Sequence, residues 1–324
     1  IQFREALREA MSEEMRRDER IYLMGEEVAE YNGAYKVSQG MLAEFGEKRV
    51  IDTPISELGF AGIGVGSAMV GLRPIIEFMT FNFSLVAIDQ VINNAAKMHQ
   101  MSGGQYSVPI VFRGPSQSAG QLAATHSQTL ETWYSNCPGL KVVSVSTPAD
   151  GKGLLKSAIR DPNPVLVMES EVMYGNKGPV PEGEDFTIPI GVADIKRPGK
   201  DVTLVSFGKM VHVGLAAAEE LAKEGIDVEM IDLRSLRPID YDTIVESVKK
   251  TNRCVVLEET WPLASFSGEL TYMIQKRAFD YMDAPVIRVT SRDTPLPYSS
   301  TLVDTWLPNP ARVIEAIKAV MYKN

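Results

Sequence analysis

Glu57, His126 and the turn Asp161-Pro162-Asn163-Pro164 are the places where residue type and spacing suit chemistry. Around Glu57, Val50-Ile51-Asp52 reads as a strand end, Thr53-Pro54 as a turn and Ser56 as a helix N-cap. One carboxylate thus falls in the first turn of a helix, where it either partners the helix dipole or handles protons. That helix carries Gly59, Gly62, Gly64 and Gly66. Each weakens an isolated helix by up to about 1 kcal/mol relative to alanine, so close packing against a neighbour or a ligand must explain them. His126 ends a polar loop rich in Ser, Gln and Gly that follows an apolar strand, a position open to a structural hydrogen bonder or a proton carrier. His99 and His212 read as structural. Before Asp161, a helix ends at Ala158-Ile159-Arg160 with its carbonyls at the negative end of the dipole. A monovalent cation fits such a turn, and so does nothing at all.

The elements that must position these groups alternate. A first helix has Phe3, Ala6, Leu7, Ala10, Met11 and Met15 on one face, and Ile21–Met24 is a strand running into Gly25-Glu26-Glu27. The two glutamates sit at a strand's carboxyl end, where open α/β sheets bind ligands, and read as a solvated turn ahead of a direct catalytic role. A helix over 38–45, the Glu57 helix and a strand from Arg73 to Phe78 follow. Met79-Thr80-Phe81-Asn82-Phe83 then leads into a long helix reaching about Met101, with Met79 and Phe83, four apart, reading as core packing. Pro109–Phe112, Leu140–Val145 and Val165–Glu169 are strands, the last two joined by a helix over 148–160. This β-α-β rhythm signals a parallel sheet covered by helices. The Gly- and Pro-rich text from Tyr174 to about Lys200 reads as a linker. Beyond it, strands at Asp201–Phe207, Val228–Ile231, Arg253–Glu258 and Val286–Val289 alternate with helices at about 212–224, 240–250, 267–280 and 310–322. The fold class is therefore α/β in two domains, each a mostly parallel sheet flanked by helices: residues 1–175, a linker over 176–200, and residues 201–324. The length of 324 residues agrees with two cores.

Composition removes several function classes. With 33 basic against 42 acidic residues, a net charge of −9, the chain lacks the basic footprint that nucleic acid or an anionic membrane requires. No window of about 18 uninterrupted apolar residues spans a bilayer, and the opening residues show no signal-peptide pattern; a trimmed start fits a chain that opens inside a helix. Cys137 and Cys254 have no metal-type spacing and read as free thiols of a reducing compartment. There is no Gly-x-Ser-x-Gly elbow and no Walker phosphate loop, and Gly62-x-Gly64-x-Gly66 departs from the dinucleotide fingerprint by placing Ser67 where its third glycine belongs. Nicotinamide binding near Gly62–Gly66 stays as a rival reading.

Ile51-Asp52-Thr53-Pro54-Ile55-Ser56-Glu57, Glu77-Phe78-Met79-Thr80-Phe81-Asn82-Phe83, Ile88-Asp89-Gln90-Val91-Ile92-Asn93, Met101-Ser102-Gly103-Gly104, His126-Ser127-Gln128, Cys137-Pro138-Gly139-Leu140-Lys141-Val142-Val143 and Asp283-Ala284-Pro285 together resemble the beta subunits of the decarboxylating component of pyruvate dehydrogenase. These are thiamine diphosphate-dependent 2-oxo acid dehydrogenases, and the likeness runs collinearly over nearly the whole chain. It implies a pyrimidine-binding domain followed by a transketolase-type C-terminal domain in an α2β2 assembly. It also implies oxidative decarboxylation of pyruvate and acetyl transfer to the lipoyl group of dihydrolipoyl acetyltransferase. In that family the carboxyl at Glu57 hydrogen-bonds the aminopyrimidine and favours the imino tautomer that deprotonates the thiazolium. By the same resemblance Phe83 stacks on the pyrimidine, Met79 and Ile55 line its pocket, and His126 serves the intermediate and its passage to the lipoyl disulfide. A structural potassium maps onto Ile110, Ala158, Ile159, Asp161 and Asn163.

No Gly-Asp-Gly occurs, so diphosphate and magnesium are expected from the alpha subunit, with each active site between two chains. Glu258-Glu259-Thr260-Trp261-Pro262 departs from the family by lacking the glycine pair that some relatives carry before the tryptophan. Branched-chain 2-oxo acid or acetoin dehydrogenases and a non-catalytic docking subunit are the alternatives. The resemblance places the protein in the cytoplasm of a bacterium or an organelle matrix of a eukaryote.

Overall fold

A computed structural model describes residues 1–183 and 185–323; residue 184, inside the expected linker, and residue 324, the end of the expected second domain, lie outside the described residues. The chain forms two compact units, Ile1–Ser116 with Trp133–Ile190, and Gln117–Thr132 with Gly191–Asn324. The boundary thus falls within the expected linker, and the loop that carries His126 clusters with the second unit.

In chain order the first unit contains α1 (Phe3–Arg17), β1 (Ile21–Gly25), α2 (Met41–Phe45), β2 (Val50–Asp52), α3 (Glu57–Met69), β3 (Arg73–Glu77), α4 (Met98–Met101) and β4 (Val111–Pro115); after α5 (Glu131–Ser135) come β5 (Lys141–Ser144), α6 (Pro148–Arg160) and β6 (Val165–Glu169). Its strands are all parallel, in the order β5-β6-β4-β3-β1-β2. β1, β4 and β6 are buried along their whole length, as sheets covered on both faces require. The α1 stripe of Phe3, Leu7, Ala10, Met11 and Met15 enters the core beside Val143, Leu154 and Val165. At the edge of that stripe α1 meets α6 through charges: buried Lys152 lies 2.7 Å from Glu13, buried Lys156 pairs with Glu13, and Arg160 lies 2.6 Å from Glu14.

The long helix expected to reach Met101 is broken. A 3₁₀ turn at Phe81–Leu85, a π-helical stretch at Gln90–Ala95 and α4 replace it. A local side chain competes with the helical ladder: Ser84 Oγ donates to the Phe81 carbonyl at 2.6 Å.

The second unit contains β7 (Asp194–Arg197), β8 (Val202–Ser206), α7 (Met210–Lys223), β9 (Val228–Asp232), β10 (Ser235–Arg237), α8 (Tyr241–Thr251), β11 (Cys254–Leu257), α9 (Phe266–Ala278), β12 (Ile287–Val289), α10 (Ser300–Trp306) and α11 (Pro310–Val320). Its five-stranded sheet has the order β12-β11-β8-β9-β7, parallel except for β7, which runs antiparallel to β9 with a bulge between Ile195 and Arg197. β7 lies inside the expected linker. Charged, half-exposed and at the sheet edge, it has the composition by which edge strands avoid further pairing, and for the same reason it resembles a loop in sequence.

Candidate active site

In the first unit the chain passes from β1 outward to β2 and then back across β1 to β3, so β1 and β3 border the point where strand order reverses. Open α/β sheets take ligands outside the carboxyl ends of strands at such a point. Three segments leave from this edge: Glu26–Glu30 after β1, Thr53–Ser56 after β2, and Phe78–Phe83 after β3. The first two are tied together by backbone and by the Asp52 side chain. Thr53 N–H donates to the Gly25 carbonyl at 3.0 Å, and the Asp52 carboxylate accepts from the Ala29 and Glu30 N–H groups at 2.7 and 3.0 Å. Gly25 is required by proximity: a Cβ there would stand 2.5 Å from the Glu77 carbonyl oxygen.

Glu57 opens α3 and is buried, 6% exposed, although its neighbours Ile55, Ser56 and Leu58 face out. The Ser56 side chain makes no capping bond, so the N-terminus of α3 is left for other partners. Glu26 is not in a solvated turn. It is buried at 7% exposure against Glu57, and burial, followed by repulsion from and hydrogen bonding with Glu57, pushes its carboxyl up to about 7. Its Oε1 has no hydrogen-bond partner among the described residues. Glu26 therefore keeps its proton up to near neutrality beside the Glu57 carboxyl. Glu27, the other half of that expected turn, is exposed with φ +59°.

The segment after β3 divides by face. Phe78 and Phe81 are buried, Phe78 stacking on Phe112 with ring centres 6.0 Å apart and meeting Phe81 edge-on at 5.4 Å. Met79 and Phe83 are half-buried. Beneath them Arg113 on β4, fully buried, pairs with Glu77 at the end of β3 and bidentately with Glu169 at the end of β6. Tyr174 Oη donates to Glu169 at 2.7 Å. One guanidinium thus locks the carboxyl ends of three adjacent strands.

Sequence comparison decides the family. A Transketolase, pyrimidine binding domain model matches residues 1–177, and a Transketolase, C-terminal domain model matches 191–313. The chain is 59% identical to the pyruvate dehydrogenase E1 component subunit beta of Rhizobium meliloti, covering 99% of this chain and 70% of that one. It is 54% identical to that of Rickettsia felis, over 99% and 98%, and 54% identical to the mitochondrial one of Bos taurus, over 99% and 90%.

The chain belongs to the pyruvate dehydrogenase E1 beta subunits.

Among solved structures it resembles a split gene transketolase, described as an inactive beta4 tetramer, with a TM-score of 0.77, 22% identity and coverage of 99% and 98%, a likeness of fold. No helix among the described residues is long and apolar enough to cross a membrane. Nor does any group of three His, Cys, Asp or Glu side chains among them form a metal site.

For an E1 beta subunit the remaining expected positions fall in two other places. Ile110 precedes β4, Ala158 and Ile159 end α6, and Asp161 and Asn163 precede β6, so all lie at the amino ends of the first unit's strands, away from Glu57. Their oxygens are engaged. Ile110 O accepts Val165 N–H at 2.9 Å, Ala158 O accepts Asp161 N–H at 3.2 Å, and Ile159 O accepts Arg73 Nη2 at 2.6 Å. Asp161 Oδ1 accepts Asn163 Nδ2 at 2.9 Å while Lys141 pairs with Oδ2. His126 lies in the second unit, exposed in a 3₁₀ turn, with Nδ1 3.1 Å from Thr125 Oγ1.

Glu26 is the residue that the solvated-turn reading places wrongly. Its signal was an acid placed directly after a strand with no polar residue, Ile21–Met24, hence at a carboxyl end of a doubly covered sheet.

Proposed function

We propose that this chain is the beta half of a thiamine diphosphate-dependent pyruvate dehydrogenase, its Glu57 polarising the cofactor's aminopyrimidine. The observation that carries this is the buried Glu26–Glu57 carboxyl pair at the strand-order reversal. Its residues fit a nitrogen heterocycle: an acid able to hold or release a proton near pH 7, an orphaned oxygen at Glu26 Oε1, and exposed apolar surface at Ile55. When bound, thiamine diphosphate supplies the electron sink for decarboxylation of a 2-oxo acid. Glu57 would hydrogen-bond a ring nitrogen, in a site where exclusion of water strengthens that contact. Glu26 would keep a proton in reserve beside it. Phe83, Met79 and Ile55 would offer apolar faces to a flat ring and take no part in proton transfer. His126 would handle the proton as the acyl group passes to the lipoyl group of dihydrolipoyl acetyltransferase.

Diphosphate and magnesium contacts would come from the alpha subunit. Support for its docking comes from α3 and the residues flanking it: Leu58 and Ile63 on the helix, with Ile55 before it and Val70 after it, stand in solvent, with nothing within 4 Å of a Cβ added at Gly66. The inner face is different: at Gly64 a Cβ would stand 2.7 Å from Ile76, so that glycine serves the sheet. A structural potassium is supported by the hard oxygens of Ile110, Ala158, Ile159, Asp161 and Asn163, each carbonyl retaining a lone pair; Arg73 and Lys141 compete for the same atoms.

The test is Glu57→Gln in the reconstituted α and β assembly, with thiamine diphosphate and magnesium, on a panel of pyruvate, branched-chain oxo acids and acetoin. The expected outcome is pyruvate preference in the unaltered enzyme and a loss of about 100-fold or more in the variant with assembly intact. Unchanged turnover removes Glu57 from the mechanism and favours a docking subunit.

A further inference from the structure

In the second unit β8 and β11 are adjacent and parallel, and the chain leaves them in opposite directions, to β9 on one side and β12 on the other. Their carboxyl ends therefore border a second crevice of the ligand-taking kind. Lys209 follows β8 and Glu259 follows β11, and what they hold is the protein's own loop. Glu259, fully buried, accepts the Ser118 N–H at 2.6 Å on Oε1. Lys209 Nζ donates to the Ser118 carbonyl and, at 2.7 Å, to Ser118 Oγ. It also stands 2.7 Å from Glu259 Oε2, as a charge pair without hydrogen-bond alignment.

Ser118 opens the segment that ends at His126. Its base is closed by Gln117 N–H donating to the Gln128 carbonyl at 3.1 Å and Gln117 Nε2 to Glu131 at 3.1 Å. Backbone at Gln117 and Ala123 is left-handed, φ +70° and +66°, and Ser127 Oγ and Thr129 Oγ1 are buried without hydrogen bonds. A loop this strained and this incompletely satisfied needs an external hold.

We propose that Lys209 and Glu259 are positioning residues for His126, forming a buried latch on Ser118 that fixes the loop for acyl transfer. This rests on the role given to His126 above. The test uses the assembled enzyme carrying Lys209→Met, and Lys209→Met combined with Glu259→Gln, in which no uncompensated buried charge remains. Three readouts are taken: thermal midpoint, thermolysin cleavage at Leu122, and the ratio of lipoyl-domain acetylation to ferricyanide-linked decarboxylation. The double variant is expected to regain most of the midpoint lost by the single one. Its loop is nonetheless cut about tenfold faster, and acetylation falls about tenfold or more while decarboxylation stays within about twofold. Wild-type cleavage and a wild-type ratio in the double variant overturn the latch. His126→Asn separates the two claims: normal acetylation there defeats the histidine's role, while the cleavage arm still judges the latch.

Discussion

Replacing Glu26 by Gln should alter the pH dependence of stability in a calculable way. The native carboxyl titrates at about 7 because burial and Glu57 disfavour its charged form, whereas an unfolded glutamate titrates near 4.5. An acid raised in the folded state gives stability that is full below the unfolded value and declines as pH climbs toward the folded one. Each pH unit in which only the unfolded chain has lost the proton costs about 1.4 kcal/mol. Between pH 5 and pH 8 the two titration curves separate by about 2.5 kcal/mol, all of it lost from the wild type. Glutamine keeps the shape and cannot ionise. Urea unfolding of the cofactor-free chain at pH 5, 6, 7 and 8 measures this directly. The variant should gain on the wild type by about 2.5 kcal/mol across that range, most of it between pH 5 and 7. A gap between the two proteins that stays constant with pH would refute a neutral Glu26.

On α3, Ile63→Asp changes a residue that is 62% exposed, so the isolated chain should keep its stability within about 0.5 kcal/mol. Association with the alpha subunit, followed by sedimentation velocity, should weaken about 30-fold or more; normal assembly would move the docking surface elsewhere. For the cation, replacing sodium by potassium at 100 times its dissociation constant should stabilise the first unit by about 2.7 kcal/mol, a rise of several degrees in thermal midpoint. Superimposable melting curves in the two salts would show that Arg73 and Lys141 keep those oxygens for themselves.

How far the fold could be read depended on how local its causes were. α6 was legible to the residue because its signals are strong: the Thr147 side chain accepts the Asp150 N–H, Pro148 occupies the first turn, and Asp161-Pro162 stops it. β6 was legible as an uninterrupted apolar run. The 81–101 region was not, because Ser84 bonds back to the Phe81 carbonyl, which a helical pattern cannot reveal. At the site, Pro54 and Ser56 announced a carboxylate at a helix start, yet the Ser56 side chain does not cap it. Glu26 looked like a turn acid because its burial comes with the flanking of β1 by β2 and β3, a fact of topology. Likewise Ser118 gave no hint that it is gripped by residues 91 and 141 positions away.

The bare outer side of α3 has an implication for how cells must make this protein. Ile55, Ile63 and Val70, each more than 60% exposed, form a sticky strip that chaperones and degradation machinery would treat as a sign of an orphan. Were the alpha subunit proposed above to cover that strip, synthesis in step with it would protect the polypeptide, and surplus left bare would be prone to clump.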